Sequence, residues 1–256
     1  MPTGNFIGTV DLALISLYAF WIFFFGLIVY LRREDKREGY PLVTDNPRSI
    51  KGTVFAPPPR QVKTFSTTHG EVVSGRVDQR DINLSPSEPW SGAPFDPTGD
   101  PMLDGVGPAS YAERADVPEK TLSGEISIVP LRVATDHFVE PLGPNPIGME
   151  VVAADGVVAG HVTDVWVDRA EIIVRYLEVE VGEEGAAHKV LLPMPFATVD
   201  AMNAEINVKA ITAEQFKSVP TTASPDQVTL LEEDKITGYF GGGYLYAWPE
   251  RAEPLI

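Results

Sequence analysis

At 256 residues with 44% hydrophobic side chains, the chain can fill one large core or two small ones. It contains no cysteine, which excludes disulfides, thiolate metal sites and cysteine nucleophiles and fits a reducing compartment. A formal net charge of −16 repels phosphate backbones, so nucleic acid is excluded as a partner.

The first eleven residues lead into Leu12–Leu31, a stretch with no charge and only Ser16 as a strongly polar side chain. At about 1.5 Å per residue it reaches roughly 30 Å, the thickness of a bilayer's hydrocarbon core, and predicts a transmembrane helix. A cleavable signal peptide fits poorly. No Lys or Arg precedes the run, the run exceeds the usual apolar region, and Arg32-Arg33-Glu34-Asp35-Lys36-Arg37 stands where a cleavage site would. Four basic residues after the helix and none before it put the carboxyl-terminal side in the cytoplasm and residues 1–11 in the periplasm. The collar's charges and the lone Asp11 cancel, so residues 41–256 carry the whole negative balance. Such a domain is repelled by anionic lipid except at Arg32, Arg33, Lys36 and Arg37, which can meet headgroups. Within the span, Tyr18, Phe20, Trp21, Phe23, Phe24, Phe25 and Tyr30 suit lipid contact with an interfacial belt, or packing against another protein's helices or pigments.

Pro41–Pro108 holds eleven of the twenty-three prolines, including Pro57-Pro58-Pro59, and predicts extended chain with turns and short hairpins such as Val72–Val77. A disordered linker has the same composition. Phe55, Phe65, Trp90, Phe95 and Met102 are interspersed through it, however, and favour a segment lying along another surface.

From Gly148 the pattern changes. Gly148–Ala154, the turn signal Asp155-Gly156 and Val157–Val167 read as a hairpin. Ile172–Val181 follows, with Leu177, Val179 and Val181 alternating against Glu178 and Glu180 as in a half-buried strand. Lys189–Met194 and Glu205–Ala210 extend the series, which predicts a small antiparallel barrel or sandwich. Thr212-Ala213-Glu214-Gln215 is a capping-box pattern opening a helix that ends before Pro220. Ser224-Pro225-Asp226-Gln227 predicts a second helix running to about Gly238, with Gly241-Gly242-Gly243 as a flexible turn before Tyr244–Trp248.

Enzyme signatures are missing from this pattern: there is no phosphate-binding loop, nucleophile elbow or HExxH. His69, His137, His161 and His188 have no ligand spacing, and Asp96, Asp100 and Asp104 are interrupted by prolines, so no metal is expected. The carboxylates carry more information. Asp164, Asp168 and Glu171 flank Trp166, and Arg175 shares parity with Leu177 and Val179, where a cation needs a partner or an edge. Glu232, Glu233 and Asp234 follow later. These acids read as a solvated face or as a coupled cluster whose pKa values spread and which can pass protons.

Several long blocks resemble the H subunit of the photosynthetic reaction centre of purple bacteria. They are Tyr18-Ala19-Phe20-Trp21-Ile22-Phe23 with Gly26-Leu27-Ile28, LRREDKREGYPL (31–42), PTGDPMLDGVGPAS (97–110), NPIGMEVV (145–152), VWVDRAEIIVRYLEVEV (165–181) and PDQVTLLEEDKITGYFGGGYLYA (225–247). The resemblance implies a single transmembrane α-helix plus a mainly-β cytoplasmic domain, a PRC-barrel-like small antiparallel barrel with short helices. It divides the chain into a periplasmic amino terminus (1–11), the span (12–31), an extended Pro-rich segment on partner subunits (32–110) and the barrel domain with its C-terminal helix (111–256).

It further implies a non-catalytic subunit of the photosynthetic inner membrane that stabilises the L and M subunits, caps their quinone side and helps carry protons to the secondary quinone. Bacteriochlorophyll, bacteriopheophytin, quinones, non-haem iron and carotenoid would sit in partner subunits, with none bound by this chain alone. A cytochrome subunit, a light-harvesting antenna ring and membrane lipids complete the implied partners. By the same resemblance Glu171 is the innermost acid of the proton route, and Asp168 and Arg175 set its charge environment. Asp164, Asp226 and Glu233 belong near that cluster, and Glu119 lies nearer the entrance. Trp21, Tyr30, Arg32, Arg33, Lys36, Arg37 and Tyr40 are the docking or headgroup residues. One departure stands out: Lys120–Glu125 lacks the histidine pair some members carry after the position of Glu119. The rival readings are a membrane-tethered PRC-barrel scaffold recruiting soluble partners and, more remotely, a membrane-anchored hydrolase.

Overall fold

The computed structural model describes residues 5–7, 10–37, 63–68, 70–74, 83–88, 93–182 and 187–251. Two units divide the chain: Met1–Gln79 with Trp90–Gly92, and Arg80–Pro89 with Ala93–Ile256.

In the first unit β1 (Asn5–Ile7) pairs with β2 (Val10–Asp11), which leads directly into α1 (Leu12–Arg37). Asp11 Oδ1 accepts the Ala13 amide at 2.9 Å, and the Ser16 hydroxyl donates back to the Leu12 carbonyl at 2.9 Å. The one strongly polar side chain of the span is therefore satisfied within the helix, as a bilayer interior demands. Leu12–Arg32 has a mean hydropathy of 2.5 and none of it is buried against the described residues. The helix continues past the expected limit at Leu31 through the basic collar to Arg37. Among the described residues this unit also holds a hairpin of β3 (Lys63–Thr67) and β4 (Gly70–Ser74). It replaces the hairpin expected at Val72–Val77: Val72 pairs with Phe65, because Thr67 and Gly70 make the turn, and Val77 lies outside the described residues.

The second unit opens with β5 (Leu84–Pro86) paired to β6 (Phe95–Pro97). Its body is a seven-stranded sheet of β7 (Ile128–Pro130), β8 (Glu150–Val152), β9 (Val158–Asp168), β10 (Ile173–Val181), β11 (His188–Pro193), β12 (Ala197–Asp200) and β13 (Glu205–Val208). The order is β11-β10-β9-β8-β13-β12, with β7 also paired to β9. Every pair is antiparallel except β8–β13, which is parallel. The expected series of short strands is present, and so is the mainly-β domain.

The half-buried alternation expected for β10 does not hold. Tyr176, Leu177, Glu178 and Val179 are all buried, because both faces of this central strand are covered. Glu178 therefore points into a polar cluster and away from water. Leu177, Val179, Leu192, Ile206, Ile211 and Ile236 belong to one apolar core with Trp166, Phe216 and Phe240. Phe240 stacks on Phe196 at 5.6 Å and meets Phe216 edge-on at 5.7 Å.

α2 (Ala213–Phe216) begins at the expected capping box, with Thr212 and Gln215 exchanging side-chain bonds. α3 (Leu230–Tyr246) departs from expectation at both ends. Ser224–Gln227 forms a closed turn, and the helix starts after Thr229, whose box with Glu232 satisfies the first amides while Val228 is buried. Gly241-Gly242-Gly243 is helical, and a close approach explains it. A Cβ at Gly238 would lie 2.7 Å from the Ala109 carbonyl, and one at Gly242 would lie 2.6 Å from the Ala109 Cβ. The missing side chains let α3 pack directly on the 3-10 turn Gly107–Ala109.

Candidate functional site

The β9–β10 hairpin presents its acids through a tight turn. Asp168 ends β9, and its Oδ1 accepts from the Ser127 hydroxyl (2.8 Å) and the amides of Ala170 (2.9 Å) and Glu171 (3.2 Å). Its Oδ2 accepts from Arg175 Nε at 3.2 Å. Burial works against this carboxylate, yet the four donors outweigh it and hold Asp168 below the usual range. Arg175 occupies the irregularity between Val174 and Tyr176 in the β9–β10 register. That position frees its side chain to span Asp168 and Glu171 Oε2, the latter at 3.4 Å, so the cation has the partners its parity demanded. Ile172, between them, has φ of 57° and is 76% exposed, an unusual conformation for a β-branched residue at the tip. Glu171 is also exposed there.

Beside this turn lies a cleft of about 610 Å³. β10 contributes Arg175 and Tyr176, α3 contributes Glu233 and Asp234, and the segment before β7 contributes Arg114 and Glu119. Pro193, Pro195 and Phe196 supply an apolar wall. The Tyr176 hydroxyl donates to Glu233 Oε2 at 2.9 Å, and Arg114 Nη1 lies 3.2 Å from Asp234 Oδ1. Burial pushes the Glu233 carboxyl above its usual range; the Tyr176 hydroxyl, Arg114 and Arg175 oppose that in part, while Glu119 adds to it. Burial and the neighbouring Glu233 also push the Tyr176 phenol up, so it keeps its proton. Ser127 ties the two halves together: its amide donates to the Glu119 carbonyl at 2.9 Å and its hydroxyl to Asp168.

Asp164 and Asp226 fall in a second cluster. Arg132 Nη1 reaches Asp164 Oδ2 (2.9 Å) and Glu178 Oε2 (2.8 Å), its Nε reaches Asp226 Oδ1 (3.0 Å), and its Nη2 donates to the Pro225 carbonyl. Lys189, Trp166 Nε1 and the Thr163 hydroxyl complete the shell of Glu178. Burial raises Glu178, and these three groups with Arg132 bring it below the usual range. Among the residues proposed for proton transfer, Glu171, Asp168, Arg175, Glu233 and Glu119 thus gather at the cleft and its rim. Asp164 and Asp226 instead clamp the turn at Pro225 to the sheet.

Ser127, Tyr176, Arg114, Arg132 and Lys189 were not singled out by pattern. The parity of Glu178 with Tyr176 was the available signal, and it needed knowledge that both faces of β10 are covered. On α1, Trp21, Tyr30 and Arg32 are exposed, and Trp21 contacts Phe20 and Phe24 at 5.6 and 6.0 Å. Arg33, Lys36 and Arg37 continue that helix, and Tyr40 lies outside the described residues. Among the described residues no group of three or more His, Asp or Glu side chains is arranged to hold a metal ion.

A span-length apolar helix followed by a curling sheet of short strands with buried acids defines a membrane-anchored PRC-barrel protein, and residues 141–219 match the PRC-barrel domain. Residues 4–133, more than half of the chain, match the family described as the photosynthetic reaction centre, H-chain N-terminal region, and the chain belongs to that family. It is a subunit of a photosynthetic reaction centre and a single-pass membrane protein. Membership implies association with the L and M subunits, which carry the pigments and quinones.

Proposed function

We propose that this chain caps the quinone side of the L and M subunits from the cytoplasm and conducts protons through its charged cleft toward the secondary quinone. The observation that carries the reading is the placement of Glu233, its carboxyl raised by burial, in one cleft with Glu119 and Arg175, and of Arg175 against Asp168 and Glu171. A carboxyl raised above its ordinary range takes up a proton more readily than an ordinary surface acid and is the better proton carrier. The bound quinone accepts two protons along with two electrons per cycle. Glu119 is exposed and takes protons from water, Glu233 holds them inside the cleft, and Glu171 presents them at the hairpin tip. Asp168, held ionised, keeps Arg175 and the tip amides in place.

The pigments and quinones belong to the partner subunits, and the cleft's charged groups serve water and protons. The chain then works without a catalytic group of its own. The basic collar orients it with the sheet domain in the cytoplasm. The test is kinetic. In the intact complex, E171Q and E233Q are each expected to slow the second, proton-coupled electron transfer about tenfold, the equivalent of about 1.4 kcal/mol in the barrier. Primary charge separation should be unchanged. Unaltered flash-induced proton uptake and second-electron transfer across neutral pH in both variants would overturn the reading.

A further inference from the structure

We propose that Tyr176 is a positioning residue of the proton route: its hydroxyl holds the Glu233 carboxyl in the cleft and sets the pH at which that carboxyl exchanges its proton. This rests on the conduction reading above and adds a residue to it. Three observations converge. The Tyr176 ring is 4% exposed and lies on a central strand, paired with Trp166 on one side and Pro193 on the other, so the hydroxyl has a fixed origin. The backbone that carries Glu233 is fixed from the opposite side, because the Glu233 amide bonds to the Thr229 carbonyl at the capped start of α3. The two polar ends meet at 2.9 Å inside a cleft that also carries the apolar wall of Pro193, Pro195 and Phe196.

A phenol is suited to this position because it can donate to a carboxylate and accept from a carboxylic acid. Burial keeps the phenol protonated, so the pair stays hydrogen-bonded in both states of Glu233 and Tyr176 gives up no proton itself. Donation to the ionised form is the stronger bond, so the hydroxyl favours ionisation and limits how far burial raises Glu233. The other charged groups facing Glu233 are Arg114 and Glu119 from the segment before β7, Arg175 from β10 and Asp234 from α3. All of these remain in Y176F, which deletes only the hydroxyl and keeps the ring.

The experiment uses the intact reaction-centre complex and infrared difference spectroscopy of protonated carboxyl groups. The band lost in E233Q reports Glu233. In Y176F that band is expected to titrate about one pH unit higher than in the parent, the size of a hydrogen bond to a charged group. Proton uptake should follow the same displaced pH profile, and Y176F should add nothing in an E233Q background. A Glu233 band that titrates at its parental pH in Y176F overturns the role of Tyr176 while leaving conduction standing. An equal effect of Y176F with and without Glu233 overturns it too, since the ring would then be acting only through packing. If the band moves but E233Q leaves proton uptake unchanged, the conduction reading fails, and the role of Tyr176 in it fails with it.

Discussion

Asp168 and Glu178 are buried acids that stay ionised, whereas Glu233, half-buried, is pushed the other way; the difference lies in their donors. Asp168 has four donors and Glu178 has bonds from Arg132, Lys189, Trp166 and Thr163, while Glu233 receives one from Tyr176. For the first two the folded pKa is below the unfolded one, so their stabilisation is present above about pH 4 and is lost as pH falls through the folded value. E178A leaves Arg132 beside a vacated buried site and is expected to cost about 3 kcal/mol at pH 7, measured by urea denaturation. For Glu233 the sign reverses. Its folded pKa lies above the unfolded one, so its contribution is present below about pH 4 and is lost as pH rises through the raised value. E233Q should therefore flatten the decline of stability with rising pH over that interval, checked by denaturation midpoints in a pH series. Pattern reading placed Asp164, Asp168 and Glu171 together because they are close in sequence, and the family resemblance added Arg175 to Asp168 and Glu171. It missed Tyr176 and Ser127, whose partners are distant in sequence.

At the level of elements, capping chemistry was legible and helix length was not. The Thr212 box was found where its spacing predicted it, and a second box at Thr229 outcompeted the nearby Ser224-Pro225 signal. T229A removes the cap of α3 and the hydroxyl's bond to Asp116, and it should cost about 1–2 kcal/mol in the same denaturation assay. The three glycines read as a turn because glycine weakens an isolated helix. In the fold Gly242, with Gly238 one turn earlier, permits α3 to lie on Gly107–Ala109, while Gly243 lies against the Ala210 carbonyl and Ile211. G242V should destabilise by about 1–3 kcal/mol through overpacking, and its displacement of the 107–110 turn should alter the cleft that Pro108 and Ser110 line. Near-ultraviolet circular dichroism of the variant checks the loss of packing.

The whole molecule separates attachment from chemistry. Its span carries exposed aromatic residues and the exposed Arg32, while the ionisable network of the cleft lies in the sheet unit. Deleting residues 1–37 should move the chain from washed membranes to the soluble fraction and leave the near-ultraviolet signature of the buried aromatic core, including Trp166, in place. The span, the collar's charge asymmetry, the run of short strands and the acidic balance were all determined by the sequence alone, because each depends on neighbours along the chain. Only the tertiary structure decided which acids share a site. Covering both faces of β10 turned Glu178 inward, and the β9–β10 irregularity freed Arg175 to span Asp168 and Glu171. Packing of α3 on the 107–109 turn brought Glu233 to Tyr176, and the Arg132 clamp drew Asp164 and Asp226 away from them. Hydrogen bonds and desolvation act over a few ångströms of space, and the partners here stand up to 122 residues apart in sequence.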